Sequence, residues 1–143
     1  MAEALSLTAV SKTFQTQQGS LPVLDTVNLS IQPGEFLAIL GPSGCGKSTL
    51  LRCLSRLTEP TAGQVLVNGS DVVTMSEQEL RELRRSTMSM VFQHFGLLPH
   101  RRIIDNVAYG LEVRGVARKE RYQRALEMIE LVGLSGWEQH LPR

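Results

Sequence analysis

Leu5, Leu7 and Ala9 alternate with polar residues near the start of the chain. A two-residue period of this kind predicts a half-buried strand. The polar stretch 17–20 ends in Gly-Ser and predicts a turn. Alternation returns at Val27, Leu29 and Ile31, which predicts a second strand. Gln32-Pro33-Gly34-Glu35 then forms a turn signal, because proline presets φ and glycine tolerates positive φ. Residues 36–40, FLAIL, are apolar throughout, the pattern of a strand buried on both faces in a parallel sheet. SMVFQ at 89–93 predicts another buried strand.

The period changes at residue 47. Leu50, Leu51, Leu54 and Leu57 form one stripe of a helix over 47–57, and Pro60 and Gly63 lie just beyond it. GQVLVNG predicts a short strand turning at Asn68-Gly69. Ser76 and Glu79 have the spacing of a capping box, which predicts a helix over EQELRELRR. Residues 105–113 and 118–132 predict two more helices joined around Gly115. No internal repeat or low-complexity tract interrupts the chain.

The junction between FLAIL and the leucine-striped helix carries the chemistry. Residues 41–49 read GPSGCGKST and match G-x-x-x-x-G-K-[ST]. The motif requires a strand before it and a helix after it, and both are predicted. Gly41, Gly44 and Gly46 let the backbone wrap a phosphate chain, with Pro42, Ser43 and Cys45 between them. The helix N-terminus adds the positive end of its dipole. Lys47 brings a full charge to the β- and γ-phosphates, Ser48 is placed to ligate Mg²⁺, and Thr49 completes the loop. The motif by itself leaves ATPases, GTPases and small-molecule kinases open, although no N-K-x-D guanine-reading sequence occurs.

Bulk properties narrow the setting. The 143 residues suit one domain or part of one, and 42% hydrophobic content supports a core. A net charge of +1 argues against a nucleic-acid partner. The pairs Arg84-Arg85 and Arg101-Arg102 are expected on a solvated face. Cys45 and Cys53 show no metal or disulfide spacing, which fits a reducing compartment. His94, His100 and His140 show no metal spacing either. No stretch is long and apolar enough for a membrane span, and the first residues do not resemble a signal peptide.

VLDTVNLSIQPGEFLAILGPSGCGKSTLLR, followed by LTEPTAGQVLVNGSDVVTMSEQELRELRR and MSMVFQHFGLLPHRRIIDNVAYGLEVRG, resembles ABC transporter ATP-binding subunits. The later segments resemble the quaternary-amine branch, which imports glycine betaine or proline; the loop region is equally similar to nitrate and taurine importers. The resemblance implies an α/β fold, a P-loop NTPase of the ABC nucleotide-binding type, present over 1–143 in part. Its N-terminal antiparallel strands, the start of a parallel core sheet and the beginning of the helical subdomain are expected. ATP and Mg²⁺ are the implied cofactors. A membrane permease and a second ATP-binding subunit are the implied partners, at the cytoplasmic face of the inner membrane. By position, Phe14 would stack on adenine, or else close a strand in the core. Gln93 would be the Q-loop residue reaching Mg²⁺ and the attacking water, so Lys47 and Gln93 are the catalytic candidates. Phe95, Leu97 and Leu98 would mark the surface receiving the permease, provided they are exposed.

Several family features have no counterpart in these residues. LSGWEQ at 134–139 is superficially similar to the signature LSGGQ, but it follows VGL at a helix end and carries Trp137 where phosphate needs close backbone approach. IID at 103–105 follows two arginines, VLD at 23–25 precedes the loop, and no Asp-Glu pair occurs. The expectations are an open sheet edge and little ATP turnover by the chain itself. A non-catalytic module that pairs with intact subunits is the competing reading.

Overall fold

A computed structural model describes residues 3–92 and 96–142 and divides the chain into two units, residues 1–84 and 85–143. The first unit is built on a four-stranded antiparallel sheet in the order β2-β1-β3-β4. β1 spans Leu5–Thr16 and β2 spans Gly19–Ile31, joined by a tight turn at Gln17-Gln18. Both strands are longer than the alternation suggested. β1 is bulged where Ala9 takes φ 50°, and side chains mend the interrupted ladder there. The Ala9 N–H donates to Asn28 Oδ1 at 2.8 Å, and the Thr26 N–H donates to Ser11 Oγ at 2.9 Å.

α1 covers Lys47–Leu54, β3 covers Ala62–Val67 and β4 covers Ser70–Asp71. The Asn68-Gly69 turn forms as its sequence requires, with φ 48° and 79° at the two residues. α1 ends three residues before its expected limit. Leu57 N–H donates to Arg52 O at 2.9 Å and Arg56 N–H to Cys53 O at 3.0 Å, a Schellman-type stop with Arg56 at φ 49°. Leu51 and Leu57 are therefore exposed, while Leu50, Cys53 and Leu54 carry the buried stripe. They join Leu7, Val10, Leu24, Val65, Val67, Val72 and Leu80 among the buried apolar residues of this unit. Burial pushes the Cys53 thiol above its ordinary pKa, and Cys45 is exposed, so both cysteines are free.

α2 spans Glu77–Ser86 and starts at the expected capping box. Ser76 N–H donates to Glu79 Oε2 at 2.8 Å, Ser76 Oγ donates to the same oxygen at 2.7 Å, and Glu79 N–H donates to Ser76 Oγ at 3.3 Å. The Ser76 hydroxyl first, then its backbone N–H, holds the Glu79 carboxyl below its usual pKa. A carboxyl whose folded pKa is depressed stabilises the fold above its unfolded pKa and loses that contribution as pH falls through the folded value. Ser76→Ala is accordingly expected to lower thermal stability at neutral pH and to lose that difference in acid; a deficit that persists unchanged in acid would contradict the box.

Arg84 does not lie on a solvated face as expected. Its guanidinium donates to Ser55 O at 3.0 Å and Arg56 O at 2.9 Å, satisfying carbonyls left open where α1 ends.

The second unit contains α3, Ile103–Val113, and α4, Arg118–Leu131, an antiparallel pair turning at Gly115. Ile104, Ala108, Ala125 and Ile129 form its core, with Ile103 and Tyr122 packed against them. The segment after α4 folds back on α3. Ile103 N–H donates to His140 O at 2.9 Å and Ile104 N–H to Glu138 O at 3.0 Å. LSGWEQ is thus a turn whose backbone caps a helix, as its position after VGL suggested. Arg101 also departs from expectation. It is half-buried and donates to Glu112 Oε2 at 2.9 Å.

The segments expected to begin the parallel sheet behave differently from the antiparallel strands. Residues 36–40 and 89–92 belong to no sheet among the described residues. Phe36 is 92% exposed, Leu40 90% and Val91 98%. A strand is defined by hydrogen bonds to a neighbour, and no described segment pairs with either run. The start of a parallel core sheet expected from these two runs is therefore not formed among the described residues.

Candidate nucleotide-phosphate site

The loop 41–46 delivers the chain from FLAIL into α1. Gly46 is the N-cap of α1 at φ 100°, a conformation that side-chain-bearing residues rarely adopt. A Cβ there would lie 2.9 Å from Val23 O and 3.1 Å from Leu24 Cδ2. The close approach seats the start of α1 directly on β2. No side chain caps this helix, and its first turn carries no acid. The amides at the start of α1 therefore meet an anion under favourable polarity, with the helix dipole adding to them.

Lys47 folds back over the loop. Its ammonium donates to Gly41 O at 2.8 Å and Pro42 O at 2.6 Å and lies 3.6 Å from Cys45 Sγ. An ammonium has three donors, and these partners hold it over the loop. Ser48 is exposed in the first turn and Thr49 is half-buried behind it. Gly41 sits against Cys45, whose Sγ would be 2.8 Å from a Cβ added at residue 41. Pro42, Ser43 and Gly44 complete an exposed rim. A triphosphate fits this set on three grounds: an uncapped helix start, a cation already positioned, and glycines whose Cβ positions are crowded or strained. Bound there, ATP with Mg²⁺ would supply the γ-phosphoryl group, and Ser48 is the hydroxyl available to the metal.

The other candidates are less gathered. Phe14 is 37% exposed near the end of β1, opposite Leu21, and is not a core residue. Lys12 Nζ stands 4.8 Å from its ring centroid, so a stacking base would compete with a cation for that face. Gln93, His94 and Phe95 lie outside the described residues. Leu97 is exposed, whereas Leu98 is half-buried and held by Asn106, whose Oδ1 accepts the Leu98 N–H at 2.7 Å. Asn106 also donates to Leu98 O, Arg101 O and Arg102 O. This clamp was not foreseen, because an asparagine inside a helical pattern gives no sign of which loop folds back to it. Among the described residues no group of His, Cys, Asp or Glu could hold a metal, and no helix is long and apolar enough to cross a membrane.

The family model described as ABC transporter matches residues 24–142. The chain belongs to the ABC transporter family. Relatives of this ABC chain include the trimethylamine N-oxide transport ATP-binding protein of Ruegeria pomeroyi, 57% identical over 117 residues, covering 82% of this chain and 34% of the relative. The glycine betaine transport ATP-binding protein of Bacillus subtilis is 49% identical over 87% of this chain and 30% of its own length. The methionine import ATP-binding protein of Halalkalibacterium halodurans is 45% identical over 96% of this chain and 40% of its own. The chain thus spans between 30% and 40% of the length of these curated relatives.

Among solved structures, a dimeric ATP-binding cassette in a post-hydrolysis state bound to ADP and Pi superposes with a TM-score of 0.90 at 34% identity. The match covers 96% of this chain and 61% of that cassette. The fold class is therefore that of the ABC ATPase cassette, in part.

Proposed function

We propose that this chain forms the phosphate-gripping part of an importer's ATP-binding subunit, whose cargo is a small methylated amine such as glycine betaine. The observation that carries the reading is the lysine-bearing loop on an uncapped helix start, within a chain that matches the ABC model over 24–142. ATP and Mg²⁺ are its ligands, with Lys47 on the β- and γ-phosphates and Ser48 toward the metal. Gln93 would meet the metal and the attacking water, and Phe14 would meet the base. The subunit pairs with a second copy beside a membrane permease, at the cytoplasmic face of the inner membrane. The dimeric cassette with ADP and Pi supports the nucleotide and the pairing. The cargo reading is supported by relatives named for trimethylamine N-oxide and for glycine betaine, both small molecules with a methylated nitrogen. The methionine importer at comparable identity is the competing substrate class.

Titration of the chain with fluorescent ATP and Mg²⁺ tests the core of this proposal, and saturable uptake is expected. Phe14→Ala should weaken ATP binding by about 1–3 kcal/mol while leaving inorganic triphosphate binding unchanged, since base–ring stacking is worth about that much. Equal losses for both ligands would assign Phe14 to the strand and not to the base.

A further inference from the structure

The helical unit contains a cavity of about 480 Å³ that runs along α3 to the first turns of α4. Among the described residues its walls carry the guanidiniums of Arg101, Arg102, Arg118 and Arg121 against the carboxylates of Asp105 and Glu112. Four cations against two anions leave a surplus of two positive charges.

The acids are already engaged. Glu112 Oε2 is shared by Arg101 at 2.9 Å and Arg121 at 3.7 Å. Asp105 Oδ1 accepts the Tyr122 hydroxyl, and its Oδ2 lies 3.9 Å from Arg102 Nε. Arg118 meets no carboxylate within ion-pair distance among the described residues. It faces the Tyr122 ring at 5.1 Å and reaches its hydroxyl only at 3.5 Å. Arg121 Nε is buried with no hydrogen-bond partner, and the Arg121 side chain as a whole is 19% exposed. Planar guanidiniums bind phosphate through paired donors, and Arg118 is exposed at the cavity wall.

We propose that this cavity binds a small phosphate dianion, either free inorganic phosphate or the phosphate of a phosphomonoester. The two surplus charges match a dianion and exceed what a monocarboxylate would neutralise. The volume exceeds one phosphate group, given that a water occupies roughly 30 Å³ of liquid, so a small organic group esterified to it also fits. Such a ligand would join Arg101 and Arg102, which lead into α3, to Arg118 and Arg121 of α4 and tie the helical unit to phosphate supply. Nothing in this site requires the nucleotide loop.

The test uses the full chain carrying Lys47→Ala, so that the nucleotide loop does not report. Inorganic phosphate and glycerol phosphate are titrated separately while the arginine Nε–Hε signals are followed by NMR, with acetate and chloride at matched ionic strength as controls. The expected result is a saturable shift of the Arg121 signal with one or both phosphates and none with the controls. The phosphate that binds more tightly identifies the source. Arg118→Gln should weaken the binding about tenfold, the loss expected for one charge-assisted pair. Arg118 holds no structural ion pair, so that variant keeps its fold, which circular dichroism checks. An Arg121 signal that fails to saturate, shifts equally with acetate or chloride, or responds identically in Arg118→Gln would overturn the proposal. Each of those results leaves the nucleotide reading untouched.

Discussion

Lys47→Ala is expected to weaken Mg-ATP binding by at least about a hundredfold in a fluorescence titration. Hydrogen bonds to charged groups contribute about 1.5–3 kcal/mol each, and one ammonium can place more than one on the phosphate chain. The same substitution frees Gly41 O and Pro42 O, which Lys47 now holds at 2.8 and 2.6 Å. Both carbonyls are on the exposed rim, so water replaces the lysine at small cost. Binding should therefore fall far more than thermal stability. Lys47→Met, which keeps the aliphatic stem, should match the alanine variant in binding. Wild-type affinity in either variant, with the fold intact, would remove the ammonium from the site and with it the case for a phosphate grip.

Gly46→Ala should be the most destabilising single-methyl change in the loop. Two costs combine there. At φ 100° a Cβ is strained, which amounts to about 1–3 kcal/mol. The added atom would also sit 2.9 Å from the Val23 backbone oxygen, and overpacking of this kind costs about 1–3 kcal/mol. Together they predict a loss of about 2–6 kcal/mol, which for a unit of this size lowers the melting temperature by roughly 10 °C or more. Gly44 provides the internal comparison. Its φ is 81°, but nothing lies within 4 Å of an added Cβ, so Gly44→Ala should incur strain alone. Calorimetry of the two variants gives the answer. Equal melting temperatures would mean that α1 is not seated on β2 at Val23. Because the start of α1 carries the anion-facing amides, Gly46→Ala should also weaken Mg-ATP binding, whereas Gly44→Ala should weaken it less.

Local signals succeeded wherever one short segment contains both partners of an interaction. The Ser76–Glu79 box, the Asn68-Gly69 turn and the start of α1 after Gly46 all have their partners within a few residues. The helices at 103–113 and 118–131 followed from periodicity to within two residues at their ends. Arginine was the least legible residue. Arg84, Arg101 and Arg121 were indistinguishable in sequence from solvated charge, yet each reaches a partner far along the chain or a cavity wall. A guanidinium on a flexible stem has no periodicity that announces its target.

FLAIL shows where a local pattern stops being sufficient. Its composition is that of a two-faced buried strand, but pairing needs a second segment, and none of the described residues supplies one. Composition and spacing alone specified the glycine-rich loop and the helix that follows it, because those depend on neighbours in the chain. Which side chains are buried, where the arginines point and whether an apolar run becomes a strand depended on three-dimensional packing. Burial and sheet hydrogen bonds are properties of pairs of distant segments, and a one-dimensional pattern describes only one member of each pair.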